Sequence, residues 1–140
     1  PDYLDGKTFA GFAPAPLSLP AILRLHHAQI TMPTGEEEAG RQFYCGVLGL
    51  REIEKPASLQ GRGGFWLQVG EQQLHLGTEN GVDRAVTKAH LAYEVAGLEA
   101  WRTRLKQFGV AVQESVPVPG CRRFEIRDPF GNRIEFIQPL

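Results

Sequence analysis

Four side chains of metal-ligand type stand at matching places in two halves of this sequence: His27 and His90, then His75 and Glu135. Each sits in a short segment that alternates apolar and polar residues. In the first, His27, Gln29 and Thr31 share one face while Ala28 and Ile30 share the other. His75 lies opposite Leu74 and Leu76. His90 and Glu94 lie opposite Leu91, Tyr93 and Val95, and Glu135 lies opposite Ile134 and Phe136. Alternation is the period of a β-strand, so all four fall on the polar faces of predicted strands. Neutral imidazoles plus one anionic oxygen on rigid strands suit a divalent metal, with Zn, Fe, Mn, Ni and Co all admitted by ligand type. Taken singly, each His is a hydrogen-bonded structural group and Glu135 a solvated strand residue. Four such residues at two repeat-equivalent positions favour the metal.

A metal with open positions would act as a Lewis acid on a substrate with two adjacent oxygens, stabilising an oxyanion or enediolate. Glu135 as a dissociating ligand, or Glu94 on the same face as His90, would be the base. Arg62, Arg122 and Arg123 are candidates to hold an anionic substrate group, against a solvated surface role. Phe65, Trp66 and Phe124 either line an apolar pocket or pack the core. The run Gln60-Gly61-Arg62-Gly63-Gly64 lacks the Lys-Ser/Thr pair and glycine spacing of nucleotide-binding loops. Glu36, Glu37 and Glu38 suit a helix N-terminus better than a metal.

The elements that carry these residues come in two copies. The first runs over residues 22–79: a strand from Leu25 to Ile30, a break at Pro33-Thr34-Gly35, and a helix whose Ala39, Phe43 and Val47 form an apolar stripe. Thr34 and Glu37 have capping-box spacing, and Gly49 is a natural stop. Strands follow at Leu50 to Ile53, Phe65 to Val69 and Gln73 to Leu76, with Gly70-Glu71 as a hairpin turn. After a polar linker, residues 88–140 repeat the order: a strand from Ala89 to Val95, a helix with the stripe Leu98, Trp101, Leu105 and Phe108, and a stop at Gly109. Strands are then predicted at Val110 to Val112, Cys121 to Ile126 and, after the turn Asp128-Pro129-Phe130-Gly131-Asn132, through Ile137. Leu74-His75-Leu76 and Ile134-Glu135-Phe136 lie 60 residues apart (75 to 135), as do Gly49 and Gly109. Two copies of one strand–helix–strand–strand–strand unit predict pseudo-two-fold pairing. Each helix must cover the apolar face of its strands, which leaves the other face free to form a concave surface.

The 140 residues fit one compact domain, preceded by an extended arm over residues 1–21 with Phe9 and Phe12 as docking side chains. A net charge of −1 argues against a nucleic-acid or anionic-membrane surface. No apolar run is long enough to span a bilayer, and no signal-peptide pattern is present. Cys45 and Cys121 have no metal or redox spacing, so two free thiols in a reducing, cytoplasmic setting are expected.

In this order the motifs resemble the vicinal oxygen chelate superfamily of glyoxalases, bleomycin-resistance proteins and dioxygenases. The carriers are the His27 strand, Phe43-Tyr44 through Leu48-Gly49-Leu50, Leu74-His75-Leu76, Ala89-His90-Leu91 and, most specifically, Asp128 to Glu135. The resemblance covers residues 22–138. It implies an α+β fold in which paired βαβββ modules form an eight-stranded, cavity-enclosing mixed sheet with helices outside. It also implies a metal held by the first and last strands of each module, which transfers ligand roles to His27, His75, His90 and Glu135. It implies a small-molecule substrate and a homodimer, in some members with exchanged modules and sites drawn from two chains. The chain departs at His75, where glyoxalase I has a carboxylate or Gln; this argues against glyoxalase I activity. Extradiol dioxygenases usually have longer chains. Bleomycin-resistance proteins supply the alternative of a metal-free binding protein, and a purely structural homodimer is the third reading.

Overall fold

The computed structural model describes residues 19–140. The expected arm therefore lies, as far as residue 18, outside the described residues. The chain continues without regular structure until β1 (His27–Met32), which starts two residues later than the alternation predicts. Then come α1 (Glu37–Arg41), continued by a wider π-helical turn over Gln42–Val47, and β2 (Arg51–Ile53). A 3-10 turn over Ala57–Arg62 precedes β3 (Phe65–Val69) and β4 (Gln72–Thr78). The second copy contains β5 (His90–Glu94), α2 (Leu98–Gln107), β6 (Gln113–Glu114), β7 (Cys121–Arg127) and β8 (Arg133–Pro139).

The eight strands form two four-stranded sheets, β1-β4-β3-β2 and β5-β8-β7-β6. In each, the first strand pairs parallel with the last and the remaining pairs are antiparallel. This is the pseudo-two-fold order that the internal repeat predicts.

The period of two decides which side chains enter the core. Phe65, Leu67, Leu74 and Leu76 are buried under Phe43, Tyr44, Val47 and Leu48 of the first helical segment. Phe124, Ile126, Ile134 and Phe136 are buried with Leu98 and Leu105 of α2. Each such side chain contributes roughly 1.5–3 kcal/mol on burial. Gly40 lets α1 approach its sheet: a Cβ there would stand 2.9 Å from the Phe65 ring.

Two local expectations are corrected. Thr34 and Glu37 do not form a capping box; the residue before α1 is Glu36, with no side-chain cap. Glu37 instead accepts a hydrogen bond from the Gly64 amide at 3.2 Å. Val110 to Val112 is not a strand. The Val110 amide donates to the Leu105 carbonyl at 2.9 Å, closing α2, and ladder pairing begins only at Gln113.

The turn after β7 clasps the modules together. Asp128 is buried and accepts from the Tyr44 hydroxyl at 2.6 Å and the Phe130 and Asn132 amides at 2.9 and 2.8 Å. The Asn132 side chain donates both to Asp128 and to the Thr31 carbonyl on β1. Buried Arg84, in the linker, donates to Thr31 Oγ1, and Arg104 of α2 donates to the Val47 carbonyl. Cys45 and Cys121 are both free.

Candidate functional site

The polar face of the first sheet carries an aromatic stack. Cross-strand register sets Trp66 of β3 beside His75 of β4, and Gln29 of β1 on its other side. The Trp66 and His75 rings are parallel within 2° with centroids 3.7 Å apart, and His27 stacks on His75 at 4.2 Å and 19°. His75 is 5% exposed, and burial, with the neighbouring His27 and His26, pushes its pKa down to about 4. It is a neutral imidazole at neutral pH. His75 Nε2 donates to Gln73 Oε1 at 2.9 Å, and His26 Nδ1 and His27 Nδ1 share a hydrogen bond at 3.1 Å. Nitrogen lone pairs lie in the ring planes, so two nearly parallel rings do not aim them at one point. His27 must rotate before it and His75 can hold the same ion.

The second sheet carries the matching pair in a different arrangement. His90 Nδ1 donates to the Lys88 carbonyl at 2.9 Å, which leaves Nε2 as the lone-pair nitrogen. Nε2 stands 3.2 Å from Glu135 Oε1, whose side chain is 8% exposed. A backbone carbonyl orienting the distal nitrogen of an imidazole that faces a buried carboxylate is the surrounding that metal-ligating histidines have. Two lone pairs this close require a proton or a cation between them. The donor chemistry of this pair fits a divalent metal.

The four candidate ligands thus fall into two pairs, one per sheet. No three His, Cys, Asp or Glu side chains converge on one point among the described residues. Nor is any helix among the described residues long and apolar enough to cross a membrane.

The other candidates separate sharply. Arg123 donates to Glu135 Oε1 at 3.3 Å and belongs to the second pair. Arg122, one residue earlier, points the other way and pairs with Glu99 on α2 at 2.5 Å. Phe65 and Phe124 are core side chains, 1% and 0% exposed, because each neighbours in sequence a residue on the polar face. Trp66 lies on that face. It lines a pocket of about 360 Å³ with Gln29, Arg62, Lys55 and Gly77, walled by the 3-10 turn. Glu94 is exposed on β5 and lines a cavity of about 610 Å³ between the modules, together with His27, Leu48, Leu74, Tyr93 and Trp101. Sequence reading missed His26, Gln73, Lys88 and Lys55. The Gln73-Leu74-His75 spacing, in which a side-chain acceptor two residues away shares the histidine's face, was the available signal for one of them; the acceptor at Lys88 is a main-chain carbonyl, which residue type does not mark.

The Glyoxalase/Bleomycin resistance protein/Dioxygenase superfamily pattern matches residues 24–136. The chain belongs to that superfamily. A glyoxalase family protein from Bacillus anthracis is 37% identical, with a TM-score of 0.82 over 87% of this chain and 99% of that one. Two more distant structures share the fold. One is a mutant of the fosfomycin resistance protein FosX from Listeria monocytogenes, complexed with Mn(II) and 1S,2S-dihydroxypropylphosphonic acid. It is 15% identical, with a TM-score of 0.73 over 86% of this chain and 95% of that one. The other is an antibiotic binding protein from Streptomyces sp. CB03234, 21% identical, with a TM-score of 0.66 over 86% of this chain and 100% of that one. No curated protein matches the chain.

Proposed function

We propose that this superfamily member is a divalent-metal-dependent enzyme acting on a small substrate with two adjacent oxygens. The observation that carries this is the His90–Glu135 pair: an imidazole whose Nδ1 is fixed by a carbonyl, leaving Nε2 3.2 Å from a buried carboxylate oxygen. His27 and His75 occupy the matching strands of the other module and complete a ligand set of three imidazoles and one carboxylate. A divalent ion bound there supplies Lewis acidity toward the substrate oxygens. The chain's own groups do the rest. Glu94, exposed on the His90 face, is the candidate base. Arg62 and Lys55 beside Trp66 form the cationic end of a pocket suited to an anionic substrate group. The Mn(II) and vicinal diol of the FosX complex, held by a protein of the same fold, support this reading.

Because His27 and His75 lie on one sheet and His90 and Glu135 on the other without converging, we place the complete site between two copies of the chain. The first sheet of one copy then faces the second sheet of its partner. The decisive experiment is elemental analysis of wild type beside Glu135→Ala after reconstitution with Mn, Fe, Co, Ni and Zn. Near-stoichiometric metal in the wild type, lost in the variant, supports the site and calls for a screen of diols and dicarbonyls; absence from both refutes it.

One observation favours a second reading. The Trp66–His75–His27 stack is a flat aromatic surface, and the antibiotic-binding relative shares the fold. On that reading the chain sequesters a planar compound without metal. Quenching of Trp66 fluorescence by aromatic ligands in the presence of chelator, absent in Trp66→Phe, would support it over the enzyme.

A further inference from the structure

Arg123 occupies the second-module pair in a way that ligand chemistry does not require. It lies on β7, paired in register with Ile137 of β8, two residues beyond Glu135. Its Nη1 donates at 3.3 Å to Glu135 Oε1, the same oxygen that faces His90 Nε2. Its Nε and Nη2 donate to the Val116 carbonyl at 3.2 and 2.8 Å. One rigid guanidinium therefore joins the site carboxylate to the proline-bearing loop at residues 115–120. The loop's other ties sit at its far end, where the Cys121 amide donates to the Val118 carbonyl and the Leu140 amide to the Gly120 carbonyl. Val116 is 76% exposed, and among the described residues Ser115 Oγ is buried with no hydrogen-bond partner. Among the described residues, little besides the guanidinium holds the middle of this loop to the sheet.

A buried carboxylate needs a cation or several donors beside it. Here the guanidinium supplies that charge on the oxygen a divalent ion would use. Two cations sharing one carboxylate oxygen repel each other at this range. We infer that Arg123 is a built-in competitor for the metal. It holds Glu135 aimed in the metal-free chain, and metal binding between His90 and Glu135 displaces it and loosens loop 115–120. The inference rests on the metal reading above and adds a conformational response to it.

The test is titration of Mn(II) into chelator-stripped wild type, Arg123→Gln and Arg123→Lys, followed calorimetrically, with far-UV circular dichroism as the folding control. Arg123→Gln should bind Mn(II) about tenfold more tightly or better, the scale of one removed like-charge contact. Arg123→Lys, which keeps the charge but loses the planar fork, should fall between. In the wild type alone, Mn(II) should speed amide hydrogen exchange at Val116 and Val118, a readout that survives if a variant fails to fold. Equal Mn(II) affinity in wild type and Arg123→Gln overturns the inference and leaves the metal reading standing. Weaker binding by Arg123→Gln also overturns it and makes Arg123 a positioning residue for Glu135. Unchanged loop exchange on Mn(II) binding overturns the displacement. Absence of Mn(II) binding by the wild type removes the metal reading and this inference together.

Discussion

The surroundings of His75 change its chemistry. Sandwiched between Trp66 and His27, it is held neutral with a pKa pushed down to about 4 by burial and by the two neighbouring histidines. In the unfolded chain its pKa returns to about 6.5. Between those values the unfolded state binds a proton that the native state refuses, so stability rises with pH across this window. His75 therefore contributes fully above about pH 6.5, and that contribution is lost as pH falls toward 4. In chelator-treated protein, urea midpoints should show wild type losing more stability between pH 7 and 4 than His75→Gln, by on the order of 1–3 kcal/mol. Parallel losses in the two proteins would refute the assignment. The sequence disclosed at this scale what alternation can disclose, namely that His27, His75, His90 and Glu135 occupy polar faces. It could not disclose Arg123 on Glu135 or Trp66 on His75. Those contacts depend on the cross-strand register, which brings together residues 9 apart (Trp66 and His75) and 12 apart (Arg123 and Glu135) through turns whose geometry is not written in the strands themselves.

The turn between β7 and β8 carries the most recognisable motif of the chain, and most of that motif is structural. Asp128 satisfies the Tyr44 hydroxyl and two turn amides, while Asn132 reaches across to β1. Glu135, at the end of the motif, is its candidate ligand. Asp128→Ala strands several buried donors at once and should cost about 3 kcal/mol or more in urea unfolding; Tyr44→Phe, which leaves Asp128 its other partners, should cost about 1 kcal/mol. A cost for Asp128→Ala no larger than for an exposed ion-pair residue such as Glu52 would dismiss the clasp. Gly64 is a second element-scale constraint. Its φ is +79°, and a Cβ would stand 2.1 Å from the Leu76 carbonyl oxygen. Gly64→Ala must therefore shift β3 or β4 and should lower the melting temperature by several degrees or more. The elements that sequence reading misjudged share one cause. Glu37 had the spacing of a local cap but found the Gly64 amide 27 residues away, and Val110 to Val112 had strand composition but no partner strand. Local periodicity names the face of a segment without naming what will pair with it.

At the scale of the whole molecule, the internal repeat was legible because each copy encodes its own sheet and covering helix. The relation between the copies was not legible, because it rests on Tyr44–Asp128, Asn132–Thr31 and Arg104–Val47, three contacts without any sequence period. That relation is what divides the candidate ligands. One sheet presents His27 and His75 and the other His90 and Glu135, and no three metal-ligating side chains converge among the described residues. A site completed across a dimer has a consequence that a site within one chain lacks. Let one variant carry His27→Ala with His75→Ala, and another His90→Ala with Glu135→Ala. Each alone should bind no metal. Mixed in equal amounts and allowed to exchange subunits, half of the dimers become hybrids, and each hybrid has one site with all four ligands and one with none. About a quarter of all sites should then recover metal binding, readable by elemental analysis after desalting. If the four residues instead served a site within one chain, exchange would restore nothing, because every chain in the mixture lacks two of its own ligands. Full recovery of hybrid dimers with no recovery of metal would therefore return the site to a single chain and require a rearrangement of the two modules on metal binding.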